Sequence, residues 1–189
     1  MVKKKKIIAV VQARLGSKRF PHKILKKIGN KTIIEIINSR LKKSKYLDGI
    51  IYAIPSNNEN KKLFDHLESL NTKIFKGSEN NVLDRVYKSA RYLKADIILR
   101  ITSDCPLVDP NMIDMMIKNF SKEKIDYITN TRNFFSDQKV NFYPDGFDIE
   151  IFTTKSLKIS RNLAKSEFDK QHVTSFIRQS KKFKKKFIK

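Results

Sequence analysis

Residues 7–23 read Ile-Ile-Ala-Val-Val-Gln-Ala-Arg-Leu-Gly-Ser-Lys-Arg-Phe-Pro-His-Lys. An apolar, mostly branched run of strand length stops at Gln12 and gives way to a polar loop. The loop holds Gly16 and Ser17, two arginines (Arg14, Arg19), two lysines (Lys18, Lys23) and no acid. At the carboxyl end of a buried parallel strand, such a loop stands where open α/β sheets bind ligands. Arginine forks, lysine point charges and free backbone N–H groups suit an anion with several oxygens, above all a polyphosphate. The string matches neither G-x-x-x-x-G-K-[ST] nor G-x-G-x-x-G, which excludes those two phosphate-binding readings.

The chain after this loop alternates between two periods. Thr32-Ile33-Ile34-Glu35 has capping-box spacing and opens a helix with Ile33, Ile34, Ile36, Ile37 and Leu41 along it. Gly49 to Ile54 reads as a second strand, Pro55-Ser56-Asn57-Asn58 as a turn, and Ser56 with Glu59 repeats the capping-box spacing before a helix carrying Leu63, Phe64, Leu67 and Leu70. A short strand (72–75), a helix (from about 82), a strand (97–102), a helix after Asp109-Pro110 and a further strand (126–131) follow. Strands alternating with helices predict an α/β fold, a three-layer arrangement of a mostly parallel sheet with helices on both faces. The 189 residues suffice for one domain, 1–189, with its own core.

The formal net charge of +22 raises nucleic acid or an anionic membrane as partners. The lysines run along the whole chain beside many Asn and Ile residues, and no aromatic–arginine interleaving supports base stacking. They read as solvated surface, and nucleic acid is set aside as a partner. Cys105 is the one cysteine, which fits a reducing compartment and leaves no disulfide framework. No apolar run approaches the roughly 20 residues of a spanning helix. The basic start, residues 1–6, precedes only a strand-length apolar stretch, so a signal peptide is rejected and a cytoplasmic protein is expected.

Three further stretches carry candidate chemistry. Gly77-Ser78-Glu79-Asn80-Asn81 runs straight into a helix, whose free N–H groups can serve an anion or a nucleotide. In Ile97-Ile98-Leu99-Arg100-Ile101-Thr102-Ser103-Asp104-Cys105-Pro106, a carboxylate stands at the end of a buried strand and needs a partner, and a metal ion is one. In Tyr143-Pro144-Asp145-Gly146-Phe147-Asp148-Ile149-Glu150-Ile151, turn chemistry precedes an alternation that puts Asp148 and Glu150 on one strand face. Two such carboxylates repel unless a cation or several donors sit between them. Cys105 reads as a packed residue, Asp109 as a cap, and Asn133 to Asn141 as a mobile loop on the substrate side.

The ordered string Gln12-Ala13-Arg14-x-Gly16-Ser17-x-Arg19-x-Pro21-x-Lys23-x-Leu25 resembles the signature loop of the sugar-activating cytidylyltransferases. SpsF-type spore-coat-polysaccharide proteins look closest. The acylneuraminate and 3-deoxy-manno-octulosonate cytidylyltransferases are more distant. The strings G-S-x-x-x-V-L-x-R (77–85), R-x-T-x-D-C-P-L-x-D-P (100–110) and P-D-G-x-D-x-E (144–150) are similar to that family's, and residues 167–174 resemble its E-H-V-T-P stretch, with Gln171 for the usual acid and Ser175 for the proline. The resemblance implies a nucleotide-diphospho-sugar transferase-like fold and transfer of CMP from CTP to a sugar or sugar acid with release of pyrophosphate, for surface polysaccharide or glycan synthesis.

It further implies nucleotide contacts from Gln12, Ala13, Arg14, Gly16, Ser17, Arg19, Lys23, Ser56, Asn57, Ser78, Arg85 and Thr102. Arg14, Lys23 and Asp104 are the expected catalytic residues. Asp104, Asp148 and Glu150 are the expected Mg2+ ligands, and Asp145, Gly146 and His172 the expected sugar contacts. A homodimer is a further expectation. SpsF-type proteins continue past the end of this chain, so the usual C-terminal elements are expected to be lacking. Two alternatives stay open: another sugar-nucleotide enzyme of the same fold (a uridylyl- or guanylyltransferase or a glycosyltransferase), or an inactive basic nucleic-acid-binding protein.

Overall fold

A computed structural model describes residues 4–17, 20–131 and 143–188. The opening apolar run is strand β1 (Ile7–Gln12), buried from Ile7 to Val11. A 3-10 turn (Lys23–Leu25) and a small antiparallel hairpin, β2 (Lys27–Ile28) with β3 (Lys31–Thr32), lead to helix α1 (Ile33–Leu41). Thr32 caps this helix: its side chain accepts from the Glu35 N–H while the Glu35 carboxylate accepts from the Thr32 N–H, the reciprocal box that the spacing predicts. Then come β4 (Gly49–Pro55), α2 (Lys61–Ser69), β5 (Lys73–Gly77), α3 (Val82–Tyr92), β6 (Ile97–Thr102), α4 (Pro110–Lys122), β7 (Tyr127–Thr129), β8 (Glu150–Thr153), α5 (Thr154–Leu163), α6 (Glu167–His172), α7 (Ser175–Gln179) and β9 (Lys185–Phe187).

Seven strands form one sheet in the order β5-β4-β1-β6-β8-β7-β9, and β8 runs against both of its neighbours while the other pairings are parallel. The pleat sends alternate residues into two cores. Ala9, Val11, Tyr52, Ile54, Leu99 and Ile101 pack with α1, α2 and α4 on one face. Ile8, Val10, Ile51, Ala53 and Ile98 pack with α3, α5 and α7 on the other. The chain therefore has the three-layer, mostly parallel α/β architecture expected from its alternating periods.

This topology fixes where a ligand can enter. From β1 the chain moves outward through α1 to β4, whereas from β6 it moves the opposite way through α4. β1 and β6 are neighbours, with Gln12 opposite Thr102. The loops leaving them part at a topological switch point, where the carboxyl ends of parallel strands open a crevice.

Two elements depart from expectation. The Ser56–Glu59 spacing predicts a helix start there, yet residues Asn58–Asn60 form a 3-10 turn and α2 begins at Lys61. The side chains that would cap it are used elsewhere. Asn60 Oδ1 accepts from the Leu15 N–H at 2.8 Å, and Asn57 Nδ2 donates to Glu79 Oε2 at 2.5 Å. The second departure is β8, which starts only at Glu150. Just before it the main chain bonds to side chains instead: Ile149 N–H donates to Asn130 Oδ1, and Phe147 C=O accepts from Asn130 Nδ2. Asp148 thus stands in a loop, and the strict alternation expected for 147–152 does not include it. Arg19 and the Asn133 to Asn141 stretch lie outside the described residues.

Candidate active site

The crevice at the switch point is a cleft of about 730 Å³ lined by Gln12, Ala13, Arg14, Gly16, Ser17, Lys23, Thr102 and Asp104, together with Glu59, Glu79 and Ser103. Its floor is held by the strand ends: Ala13 N–H donates to Ala53 C=O at 3.2 Å and Ser103 N–H to Gln12 C=O at 3.0 Å. Leu15 is buried and its N–H is bound by Asn60, which pins the first half of the loop. Among the described residues, the N–H groups of Arg14 and Gly16 donate to nothing in the protein. A loop pinned at Leu15 with free N–H groups on either side of it can cradle an anion.

Lys23 reaches into this cleft from the 3-10 turn. Its Nζ donates to Asp104 Oδ2 at 2.7 Å, and both side chains keep contact with solvent, at 29% and 49% exposure. Burial pushes the Asp104 carboxyl up, but hydrogen bonds from Lys23 and Thr102 and the Lys23 charge outweigh it and leave the group below its usual value. Asp104 is therefore a carboxylate held ionised by a partner that can move.

Asp148 lies on the other side of Cys105, whose Sγ donates to Asp148 Oδ2 at 3.5 Å. Burial raises the Asp148 carboxyl, and Asp145 and Glu150 raise it further. The Cys105 thiol is itself pushed up to about 12, by burial and then by the nearby Asp148 and Asp104 charges, so it is a packed neutral group and no nucleophile. Asp104 lines the cleft and Asp148 does not, but both neighbour Cys105 and offer hard oxygen donors, Asp148 without a cationic partner. That fits Mg2+, which takes one or two carboxylates and completes its shell with water and phosphate oxygens. Among the described residues, no three His, Cys, Asp or Glu side chains gather into a ready-made metal cluster.

Glu150 is a correction to the expected metal set. It is 4% exposed, accepts from Tyr127 Oη at 2.5 Å and from Thr174 Oγ1 at 2.6 Å, and is ion-paired with Arg100, with Arg178 Nη1 at 3.9 Å. Burial raises its carboxyl, and the Arg100 and Arg178 charges win and hold it low. Its oxygens are committed inside the protein and leave no room for an ion.

Arg85 is a second correction. It is 1% exposed, and its Nη1 donates to the carbonyls of Ser78 and Glu79. It fastens the 78–79 loop from beneath instead of meeting a nucleotide. Burial, followed by the charge of Arg14, brings it down to about 10, with Glu79 opposing. Gly77 leaves this side chain its room: a Cβ would stand 3.0 Å from Arg85 Cγ, which would have to shift.

The remaining expected contacts stand away from the cleft wall. Ser56 and Asn57 line an adjoining cavity of about 360 Å³ with Lys61, Phe64 and Lys76. Asp145 and Gly146 form the turn whose Gly146 C=O accepts from the Leu107 N–H at 3.1 Å. The His172 ring packs on Phe168 at 4.2 Å, lowered in pKa by burial and then by the charge of Arg100.

A model of the cytidylyltransferase family matches residues 8–188 of this chain. The chain belongs to that family. An uncharacterized protein of Methanocaldococcus jannaschii is 38% identical to this cytidylyltransferase over 91% of the chain and 67% of its own length. The spore coat polysaccharide biosynthesis protein SpsF of Bacillus subtilis is 31% identical over 91% of the chain and 70% of its own length. A 3-deoxy-manno-octulosonate cytidylyltransferase of Chloroherpeton thalassium is 32% identical over 61% of the chain and 46% of its own length. Among solved structures, a cytidylyltransferase from Leptospira borgpetersenii superposes with a TM-score of 0.88 at 29% identity, over 98% of this chain and 76% of that one.

Sequence reasoning missed three groups in this cytidylyltransferase. Glu59 and Glu79 flank the cationic loop, their carboxylates each 4.0 Å from where a Gly16 Cβ would stand. Local sequence marks Glu59 only as a capping acid and Glu79 only as a loop residue, because it is the sheet that brings both to the cleft. Arg100, which donates to both Gln12 and Glu150, did leave a signal: a cation inside the apolar string Ile-Ile-Leu-Arg-Ile must find a buried partner. Among the described residues, no helix is long and apolar enough to cross a membrane.

Proposed function

We propose that this cytidylyltransferase transfers CMP from CTP to a hydroxyl of a sugar or sugar acid, for the synthesis of a surface polysaccharide or glycan. A hydroxyl oxygen bonds to the α-phosphorus and gives its proton to solvent, the bond from that phosphorus to the bridging oxygen of the β-phosphate breaks, and pyrophosphate leaves. The observation that carries this reading is the Lys23–Asp104 pair facing the free N–H groups of the β1 loop across one cleft. The names of the relatives support the sugar-acid acceptor and the polysaccharide role.

Each residue has a task in positioning and charge neutralisation, which carry most of the catalysis in phosphoryl-type transfers. The N–H groups of Arg14 and Gly16, with Ser17, hold phosphate oxygens. Arg14, Arg19 and Lys23 offset the charge that grows on the departing pyrophosphate. Ala13 and Thr102 line the floor under the nucleotide. Asp104 and Asp148 would hold Mg2+, which would polarise the phosphate oxygens when bound. Lys23, in contact with solvent, would exchange its Asp104 partner for a phosphate oxygen when the nucleotide is bound.

Pyrophosphate release measured with each of the four nucleoside triphosphates, Mg2+ and a panel of sugars and sugar acids tests the reading. CTP-dependent release that disappears in Asp104→Asn is the expected outcome. Release with UTP or GTP alone sinks it in favour of another nucleotidyl transfer on the same fold.

A further inference from the structure

The buried network behind the cleft ends at a residue that lines it. Arg100 Nη1 donates to Glu150 Oε2, while Arg100 Nε and Nη2 donate to Gln12 Oε1 at 3.2 and 2.7 Å. A guanidinium only donates, so the oxygen of the Gln12 amide must be the atom that faces it, whatever ligand is present. The Gln12 NH2 group then points the other way, into the cleft that Gln12 lines, and has no partner among the described residues. Gln12 is thereby a fixed donor that can meet only an acceptor.

The cleft has two unlike sides. Gln12 continues the strand face of Val10, which packs with α3, whereas the Thr102 side chain turns to Asp104 and to Cys105 Sγ at 3.1 Å. Lys23 adjoins Ile24, and Asp104 adjoins Cys105, both buried on the opposite side with α1 and α4. The solvent-accessible Lys23–Asp104 ion pair thus marks the phosphate side, and the uncharged amide marks the other.

The network that orients Arg100 is itself tightly determined. Thr174 Oγ1 donates to Glu150 at 2.6 Å. To bring it there Val173, a β-branched residue, takes φ 55° and ψ −58°, with the Thr174 N–H turned back on His172 C=O. A β-branched side chain at positive φ is strained and persists only where the surroundings hold it.

We propose that Arg100 is a positioning residue which locks Gln12 as a hydrogen-bond donor to the nucleoside end of the bound nucleotide. This rests on the CTP reading above. The test is calorimetric titration of CTP and of inorganic tripolyphosphate, with Mg2+, into the wild-type protein and three variants, alongside their melting temperatures. Gln12→Met removes the donors without adding charge. Gln12→Glu keeps Arg100 paired, so its fold is retained, but presents no N–H to the cleft. Arg100→Lys keeps a cation beside Glu150 and loses the fork.

Each variant is expected to bind CTP about 3- to 10-fold more weakly, the size of one neutral hydrogen bond. Tripolyphosphate affinity is expected to change less than about twofold in Gln12→Met and Arg100→Lys. CTP affinity within about twofold of wild type in both Gln12 variants would make Gln12 a structural partner and overturn the proposal. An unchanged affinity in Arg100→Lys alone overturns the positioning role. A wild-type protein that binds tripolyphosphate but not CTP fails the functional reading itself, and the proposal with it.

Discussion

The molecule holds two carboxylate–cation systems about one strand apart, and they are built for opposite purposes. Lys23–Asp104 is a single 2.7 Å contact between half-exposed side chains in an open cleft. Glu150 is enclosed by Arg100, Arg178, Tyr127 and Thr174. A pair in contact with water is worth little to stability and can be exchanged for a ligand. A buried charge bonded on both oxygens cannot be exchanged without leaving its partners stranded. Burial, more than residue type, separates the carboxylate that can serve a ligand from the one that holds the scaffold beneath it.

The sharpest way to break this contrast is to truncate one carboxylate of each system. Glu150→Ala leaves Arg100 beside an empty site and is expected to cost about 3–5 kcal/mol of folding free energy, read by urea or thermal unfolding. Asp104→Asn is expected to change stability by less than about 1 kcal/mol. Its effect should fall on turnover instead, a loss of about 10²- to 10³-fold in CTP-dependent pyrophosphate release, the scale of removing one electrostatic stabiliser. Similar stability losses in the two variants would erase the distinction.

The same contrast explains what could be read from the chain. The β1 loop and the Thr102–Asp104 turn were legible because a strand must end where its apolar run ends, and topology then brings two neighbouring ends together. Glu150 and Arg85 were misassigned because polarity in sequence says nothing of depth. Both are deeply buried: Glu150 ties elements distant in sequence, and Arg85 turns back onto the loop that precedes its own helix. The expected Asp148–Glu150 pairing failed for a local reason: Asn130 binds the main chain at Phe147 and Ile149, and the strand begins too late for the two acids to share a face.

Acid titration sharpens the comparison at a smaller scale. Glu150 has a folded-state pKa below its unfolded value of 4.5. Its stabilising contribution is therefore present above that value and lost as pH falls through the lower folded one. Acid unfolding monitored by circular dichroism should show this loss at pH below about 4.5, and Glu150→Gln should flatten it.

Asp148 carries the opposite sign. Its folded pKa lies above the ordinary 3.8, because burial and then Asp145 and Glu150 disfavour the charged form. The folded state holds that proton more tightly than the unfolded chain, so stability declines as pH rises through the folded value. Asp148→Asn removes the penalty. In metal-free buffer at pH 7 the variant should melt slightly higher than wild type, by less than about 1 kcal/mol in stability, and the difference should vanish below pH 3.8. Mg2+ with CTP should stabilise the wild type and stabilise the variant less, since a ligand that binds only the folded state raises its stability in proportion to affinity. A variant that melts lower than wild type at neutral pH without metal would show that the Asp148 charge is already balanced inside the protein, leaving Asp104 without Asp148 as a second carboxylate for a cation.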